Sequence, residues 1–293
     1  MAVVECPGKP TKECPIRTLS HVVVVGAIRM SVALVLRLVQ LGVPVYFCRR
    51  SGGLITAVTP HDPDWAFWVM QGRAAEDPHL RLEIAQAIVR AKLHNYAGIV
   101  RRFKLERHKE VEEHLLRAEE SVAEAAEVDE VVGFEGLGAA RYFEAMMATL
   151  GAEWKFTRRA RSPPPDPVNS MLSFGYSILY NHLSTDLIAA GMNPKIGVMH
   201  RSRGTHHALA SDLVEEVRHL VDGLVWAMVR RHEVSPSDFE ASPDGRYPCL
   251  MSHDCRRTFI LRLEGRLGDT FAHQDGQISY LAVMNRQVRR LKE

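Results

Sequence analysis

From Asp77 to the C-terminus the chain keeps returning apolar residues at helical spacing, and that rhythm limits it to a fold dominated by packed helices. Asp77 is a good cap and Pro78 suits a first helical position, after which Ile84, Ile88, Ala91 and Asn95 follow one face. Beyond Arg101-Arg102-Phe103-Lys104 a second run turns Val111, Leu115, Ala118 and Val122 inward, and its charged outer face reads as solvated. Gly133-Phe134-Glu135-Gly136 interrupts the pattern, so a short helix is expected after it, with Phe143, Met146, Met147 and Leu150 at core spacing. Asn169 opens a helix through Leu172, Tyr176, Leu179 and Leu183 that ends at Gly191. Another is expected from Asp212 to about Arg231, burying Leu213, Val217, Leu220, Leu224 and Met228. Two more amphipathic helices follow Pro236-Ser237-Asp238-Phe239 and a turn at Asp244-Gly245. The last ends in a basic stripe of Arg286, Arg289, Arg290 and Lys292.

The residues before Asp77 have a different character. Residues 1–18 are polar and proline-bearing and read as a loose start. Val22 to Val25 form a strand, Ser31 caps a helix through Leu34, Leu38 and Leu41, and Gly42 ends it. Val43 to Cys48 and Leu54 to Val58 give two further strands around the turn Ser51-Gly52-Gly53. This strand–helix–strand order invites a dinucleotide site. Yet only Gly26 sits at the first turn, and the second strand ends in Cys48-Arg49-Arg50 rather than in an acid for a ribose, so packing is the better account.

Composition sets outer bounds. With 293 residues, 46% of them hydrophobic, the chain can bury one large core or two smaller ones. A formal charge of +2 gives no whole-molecule field for nucleic acid, so local patches must carry any such binding. The cysteines Cys6, Cys14, Cys48, Cys249 and Cys255 are odd in number and irregularly spaced, which fits reduced thiols in a cytoplasm. No apolar run is long enough for a bilayer, so no membrane partner is expected.

Chemistry concentrates around Gly197-Val198-Met199-His200 and the helix that follows. Asp212 and Glu215 stand three apart and share a helix face in an expected acidic first turn, where His200 can join them on a divalent cation. His206 and His207 compete for the histidine role, but they follow Ser202-Arg203-Gly204 in what reads as a mobile loop, whereas Ile196-Gly197-Val198-Met199 fixes His200. Glu135, between glycines at an expected helix start, suits either a cap or a metal ligand, and its position alone favours the cap. Arg158, Arg159 and Arg161 lie on a proline-stiffened crossing and suit phosphate contacts, or are simply solvated.

Taken together in order, these residues resemble the CRISPR-associated spacer-acquisition integrases, the Cas one family, from about Val22 onward. The matching pieces are Gly26 with Ser31, Gly42-Val43-Pro44-Val45, then Gln71, Lys92 and Asn95. Gly133 to Gly136 with Ala139-Ala140-Arg141-Tyr142-Phe143 follow, then Arg159, Pro163-Pro164 and Asp166 to Asn169. Tyr176, Gly197 to His200, Asp212 to Glu215, Arg218 and Asp238-Phe239 complete the set. The resemblance implies an α+β protein: a small β-rich N-terminal domain over 1–65, incomplete because family members carry several strands before the segment matching Val22, and a larger all-α catalytic domain over 66–293. It implies a homodimer that acts on double-stranded DNA with a small partner subunit of the Cas two type. It assigns the catalytic metal ligands to Glu135, His200 and Glu215, with Asp212 supporting and Arg159, Asn169 and Tyr176 lining the site.

Two carboxylates and one imidazole suit Mg²⁺ or Mn²⁺, the histidine tilting the choice toward Mn²⁺. The expected reaction is attack of a DNA 3′-hydroxyl, or of water, on a phosphodiester. Replacing Glu135, His200 or Glu215 by alanine is then expected to abolish strand transfer and spare the fold. The alternatives are a casposase-like transposon integrase and a non-catalytic DNA-binding scaffold.

Overall fold

In this computed structural model, residues 1–5, 10–19, 21–49, 54–59, 64–242, 245–273 and 276–293 are described. The opening segment forms β1 (Ala2–Val4) and β2 (Lys12–Cys14), an antiparallel pair, in place of the loose start expected. The β-branched run β3 (Val22–Val25) lies parallel to β4 (Val45–Cys48), which pairs antiparallel with β5 (Leu54–Val58). Helix α1 (Val32–Gln40) makes the crossover, and the Ser31 hydroxyl accepts from the Leu34 amide as the cap. Ile16, Val24, Leu38, Val43 and Val45 form a small apolar cluster of their own. The turn at Ser51-Gly52-Gly53 lies outside the described residues.

The remaining helices share one large apolar core. Helix α2 (Trp65–Glu76), which the apolar spacing did not announce, precedes α3 (Pro78–Phe103), capped as expected by Asp77 with Pro78 in its first turn. α4 (His108–Ala123) buries Val111, Leu115, Ala118 and Val122 and packs with α3 and α5 (Val128–Thr149). α6 (Pro167–Ala189) is apolar around most of its circumference and is covered on nearly every side, as such a helix must be. α7 (Ala208–Val217) and α8 (His219–Arg230) follow, then α9 (His253–Gly268) and α10 (Tyr280–Lys292).

Several expectations change. Gly133 and Gly136 do not break a helix: α5 runs straight through them, so Glu135 is mid-helix, away from any helix N-terminus, and the capping role is excluded. Asp212 and Glu215 also lie inside a helix, because α7 begins at Ala208 and its first turn carries no acid. The single helix expected from Asp212 to Arg231 divides at Arg218, where the Asn95 amide donates to the Glu216 carbonyl (3.0 Å) and enters the backbone ladder. The helical part is not all-α either. β6 (Phe239–Glu240) pairs with β7 (Leu250–Met251), and β8 (Thr270–His273) with β9 (Gly276–Ser279).

Candidate active site

The histidine arrives as expected, and the reason is local. A side chain on Gly197 would lie 2.6 Å from the His200 carbonyl oxygen and 2.7 Å from the Ala208 side chain, so only glycine lets this turn close against α7. Asp212, fully buried, faces the turn from α7. Its carboxylate accepts the amides of Val198 (2.6 Å), Met199 (3.2 Å) and His200 (2.9 Å), and Oδ1 also takes His200 Nδ1 at 2.7 Å. Every lone-pair direction of Asp212 is thereby used, so the supporting role expected of it is a positioning one. With Nδ1 engaged, Nε2 is the imidazole nitrogen available to a ligand. The bond to Asp212 raises the His200 pKa above its usual value, against burial, which lowers it.

Glu215 stands one turn further along α7 and is buried. Its Oε2 meets both Lys92 Nζ and Arg218 Nη1. Burial pushes the carboxyl toward protonation, but Arg218 and Lys92 outweigh it and hold the group well below the usual carboxylate range. The same Lys92 ammonium contacts Glu135 Oε1. Glu135 is delivered by a matched stripe between α3 and α5: Lys92 meets Glu135, Leu93 meets Gly138, and Tyr96 stacks on Tyr142 with ring centroids 3.9 Å apart. A Cβ on Gly138 would fall 2.3 Å from Leu93 Cδ2, so this glycine sets how closely the two helices approach.

Arg159, Asn169 and Tyr176 come together in one network. Asn169, wholly buried, accepts from Arg159 Nη1 (2.8 Å) and from the Ala160 amide (2.8 Å), and donates to the Arg158 carbonyl (2.8 Å) and Asp166 Oδ2 (2.6 Å). It therefore clips the proline-rich crossing to the first turn of α6 and has no face left for a substrate. The Tyr176 hydroxyl donates to buried Asp222 (2.8 Å), and the guanidinium groups of Arg159 and Arg218 lie against its ring, 5.3 and 4.3 Å from the centroid. Burial raises the Asp222 pKa to about 6.

Some of these groups line an open cleft of about 450 Å³, whose wall includes Arg159, Arg161, Tyr176, His200, Arg203, Glu215 and Arg218. Glu135 is not among the lining residues and joins Glu215 only through Lys92. The loop histidines are held rather than loose: both rings stack on Tyr180, and the His207 amide donates to its hydroxyl (2.7 Å). Among the described residues no three His, Cys, Asp or Glu side chains stand together as a ready metal-holding group. The donor chemistry still fits a divalent cation. Two acids converge on one cationic point, and an imidazole nitrogen is left available in the cleft that Glu215 also lines.

Lys92 is the residue that the motifs named without giving it a place in the site. The signal was there: it falls four residues after Ile88, on the inward face of α3, where a lysine is buried only with a partner. Arg218, three residues after Glu215, is a second case, buried and paired with the acid one turn before it.

Comparisons with known proteins agree with the motif order. The family model for CRISPR associated protein Cas1 matches residues 1–265, so the likeness begins well before Val22. A CRISPR-associated endonuclease Cas1 of Thermus thermophilus is 34% identical over 277 residues, covering 94% of this chain and 84% of the relative. Among solved structures, a chain of a Cas6-RT-Cas1–Cas2 complex superposes with a TM-score of 0.84 at 27% identity, over 99% of this chain and 32% of the other. A casposase bound to integration product shares the fold, with a TM-score of 0.82 at 20% identity over 99% and 83% of the two chains. A glycine turn that presents His200, an acid that orients it and two further acids on separate helices thus stand in a chain that belongs to the Cas1 family.

Proposed function

We propose that this chain is a metal-dependent DNA endonuclease and integrase of CRISPR adaptation, which inserts short DNA segments into a repeat array by 3′-hydroxyl attack on a phosphodiester. The observation that carries the reading is the shared wall of the cleft. Arg161 and Arg203 are exposed there, and His200 and Glu215 lie beside them. Guanidinium forks match phosphate oxygens and hold a backbone without reading its bases. Arg218 is committed to Glu215, so it fixes the acid rather than the substrate. Arg159, tied to Asn169 and Ser173, keeps the crossing in register over the cleft. Glu135, Glu215 and Nε2 of His200 would hold Mg²⁺ or Mn²⁺, which supplies charge neutralisation at the reacting phosphate and activates the attacking oxygen. Asp212 keeps the imidazole turned for that contact.

Partners follow from the same reading: double-stranded DNA, a second copy of the chain and a small Cas2-type subunit, the last supported by the likeness to a Cas6-RT-Cas1–Cas2 assembly. The division into a β-rich unit over 1–65 and a helical unit over 66–293 draws support from the separate apolar clusters of the strands and the helices. A cytoplasmic location is part of the reading. Among the described residues no helix is long and apolar enough to cross a membrane.

One observation favours a second reading, a DNA-binding scaffold without chemistry: both acids are already paired with cations, Glu135 with Lys92 and Glu215 with Lys92 and Arg218. Strand transfer of a 3′-hydroxyl DNA into a repeat-bearing duplex, run with Mn²⁺ and with chelator, separates the two. Activity is expected only with the metal and is expected to vanish in Glu135→Ala and His200→Ala. Activity that persists in chelator, or in either variant, overturns the ligand assignment. DNA binding of equal strength in chelator with no product under any condition is the scaffold's result. The casposase-like alternative predicts insertion that depends on transposon ends and is indifferent to the repeat.

A further inference from the structure

The acid half of the site is already filled by a cation. Lys92 Nζ touches Glu135 Oε1 and Glu215 Oε2 at once, and its side chain has no exposure to solvent. It comes from α3, whereas its partners come from α5 and α7, so one ammonium ties three helices at the point where their carboxylates meet. The local charges balance, Glu135 and Glu215 against Lys92 and Arg218, with the Tyr96 ring 5.6 Å from the ammonium. A divalent cation entering beside an unmoved Lys92 would leave a double positive charge in a buried cluster, which is costly. A lysine head is a compact point charge on a flexible four-carbon stem, so it can leave the two oxygens while its stem stays packed.

We propose that Lys92 is a displaceable internal cation. It holds Glu135 and Glu215 on one point in the metal-free protein, and a divalent metal binds by taking the place of its ammonium group. This rests on the metal-dependent reading above. It differs from a catalytic role, because Lys92 acts here through the two acids. It also accounts for a donor set that converges on one cation without standing ready as a three-ligand group. Like charges left facing each other would repel, so the lysine keeps the acids assembled until metal arrives.

The experiment measures Mn²⁺ binding by the loss of its free electron-spin signal, alongside thermal unfolding with and without Mn²⁺. It compares wild type with Lys92→Met and Lys92→Arg. In Lys92→Met the competitor is gone: it should melt below wild type in chelator, gain more from saturating Mn²⁺ than wild type does, and bind Mn²⁺ at least about tenfold more tightly. In Lys92→Arg the charge is kept but a fork grips both carboxylates, so binding should weaken by about tenfold or more. If Lys92→Met folds only with Mn²⁺ present, the metal has replaced the ammonium and the proposal stands. If it folds in neither condition, Lys92→Arg decides alone. Equal Mn²⁺ affinity in wild type and Lys92→Arg, or weaker binding in Lys92→Met, overturns the proposal while leaving the metal reading intact. Failure of wild type to bind Mn²⁺ at all overturns both.

Discussion

The two halves of the candidate site are built in opposite ways. The histidine half is local: Gly197, His200 and Asp212 lie within one turn, one loop and the helix behind it, and they are joined by hydrogen bonds that leave the buried carboxylate fully satisfied. The acid half is assembled from three helices far apart in the chain, and opposite charges hold it together. Hydrogen bonds to a fixed backbone set a direction, so the first half is a rigid presenter of Nε2. An ion cluster sets a balance of charge, so the second half is sensitive to any change in its number of cations. Substitutions in the two halves should therefore fail differently, and the difference is measurable.

The largest effect is expected at Glu215. Glu215→Ala removes the shared partner of Lys92 and Arg218 and leaves both cations buried without it, at a cost of roughly 3–5 kcal/mol. The expectation that this change spares the fold is thus revised: its midpoint of thermal or urea unfolding should fall sharply. Glu135→Ala, whose side chain keeps 24% exposure and whose loss leaves Lys92 still paired, should fall much less. Equal losses in the two variants would mean that the cluster does not hold the helices together. The pH dependence of this term follows from the depressed Glu215 pKa. Its contribution is present above the usual carboxylate value of 4.5 and is lost only as the pH falls through the folded value, far below.

Much of this contrast follows from what a sequence can carry. The histidine half was legible because its parts sit within one short stretch: Gly197 before His200, then two acids three apart. The caps at Ser31 and Asp77 were equally local, and the strand Leu54–Val58 fell where its β-branched run put it, whereas the helix expected to open at Asn169 starts at Pro167 with Asp166 as its cap. The helix start expected at Glu135 is absent because Gly133 and Gly136 only look like a break when viewed along the chain, and Gly138 adds a third glycine. The cause of the last lies across the chain, in the Leu93 side chain pressed against Gly138. The roles of Asn169 and Tyr176 were hidden for the same reason. Each is expected at the site from the family resemblance, yet each is spent on an internal partner, Arg159 or Asp222. Lys92 needed the partner acids of α5 and α7 before its burial made sense.

A second prediction probes the local half. Asp212→Ala leaves amides of the turn and the imidazole without their acceptor, which should cost roughly 3 kcal/mol and lower metal affinity by about 10–100-fold. Asp212→Asn is the finer probe, because it keeps the shape and removes the charge. In wild type the bond to Asp212 raises the His200 pKa above 6.5. Protonated His200 therefore stabilises the metal-free protein below 6.5, and that contribution goes as the pH rises through the folded value. Metal requires the neutral ring, so Mn²⁺ affinity should drop about tenfold per pH unit below the folded pKa. In Asp212→Asn the drop should begin at a lower pH. An unchanged profile would separate the histidine from the metal.

The smallest effect sharpens how the distant half is assembled. Two glycines in the same helix, Gly136 and Gly138, differ only in what stands opposite. A Cβ at Gly136 meets nothing within 4 Å, whereas one at Gly138 meets Leu93 Cδ2 at 2.3 Å. Alanine favours a helix interior over glycine by about 1 kcal/mol, so Gly136→Ala should stabilise by up to about that amount. At Gly138 the same gain is set against overpacking of roughly 1–3 kcal/mol, because Leu93 is fully buried and has little room to yield. Gly138→Ala should therefore be neutral to destabilising, and it should also lower Mn²⁺ affinity by moving Glu135 off Lys92. Opposite signs in the two unfolding midpoints would tie the position of the acid to the closeness of α3 and α5. Equal stabilisation by both alanines would mean that the helix carrying Glu135 is placed by something other than this contact.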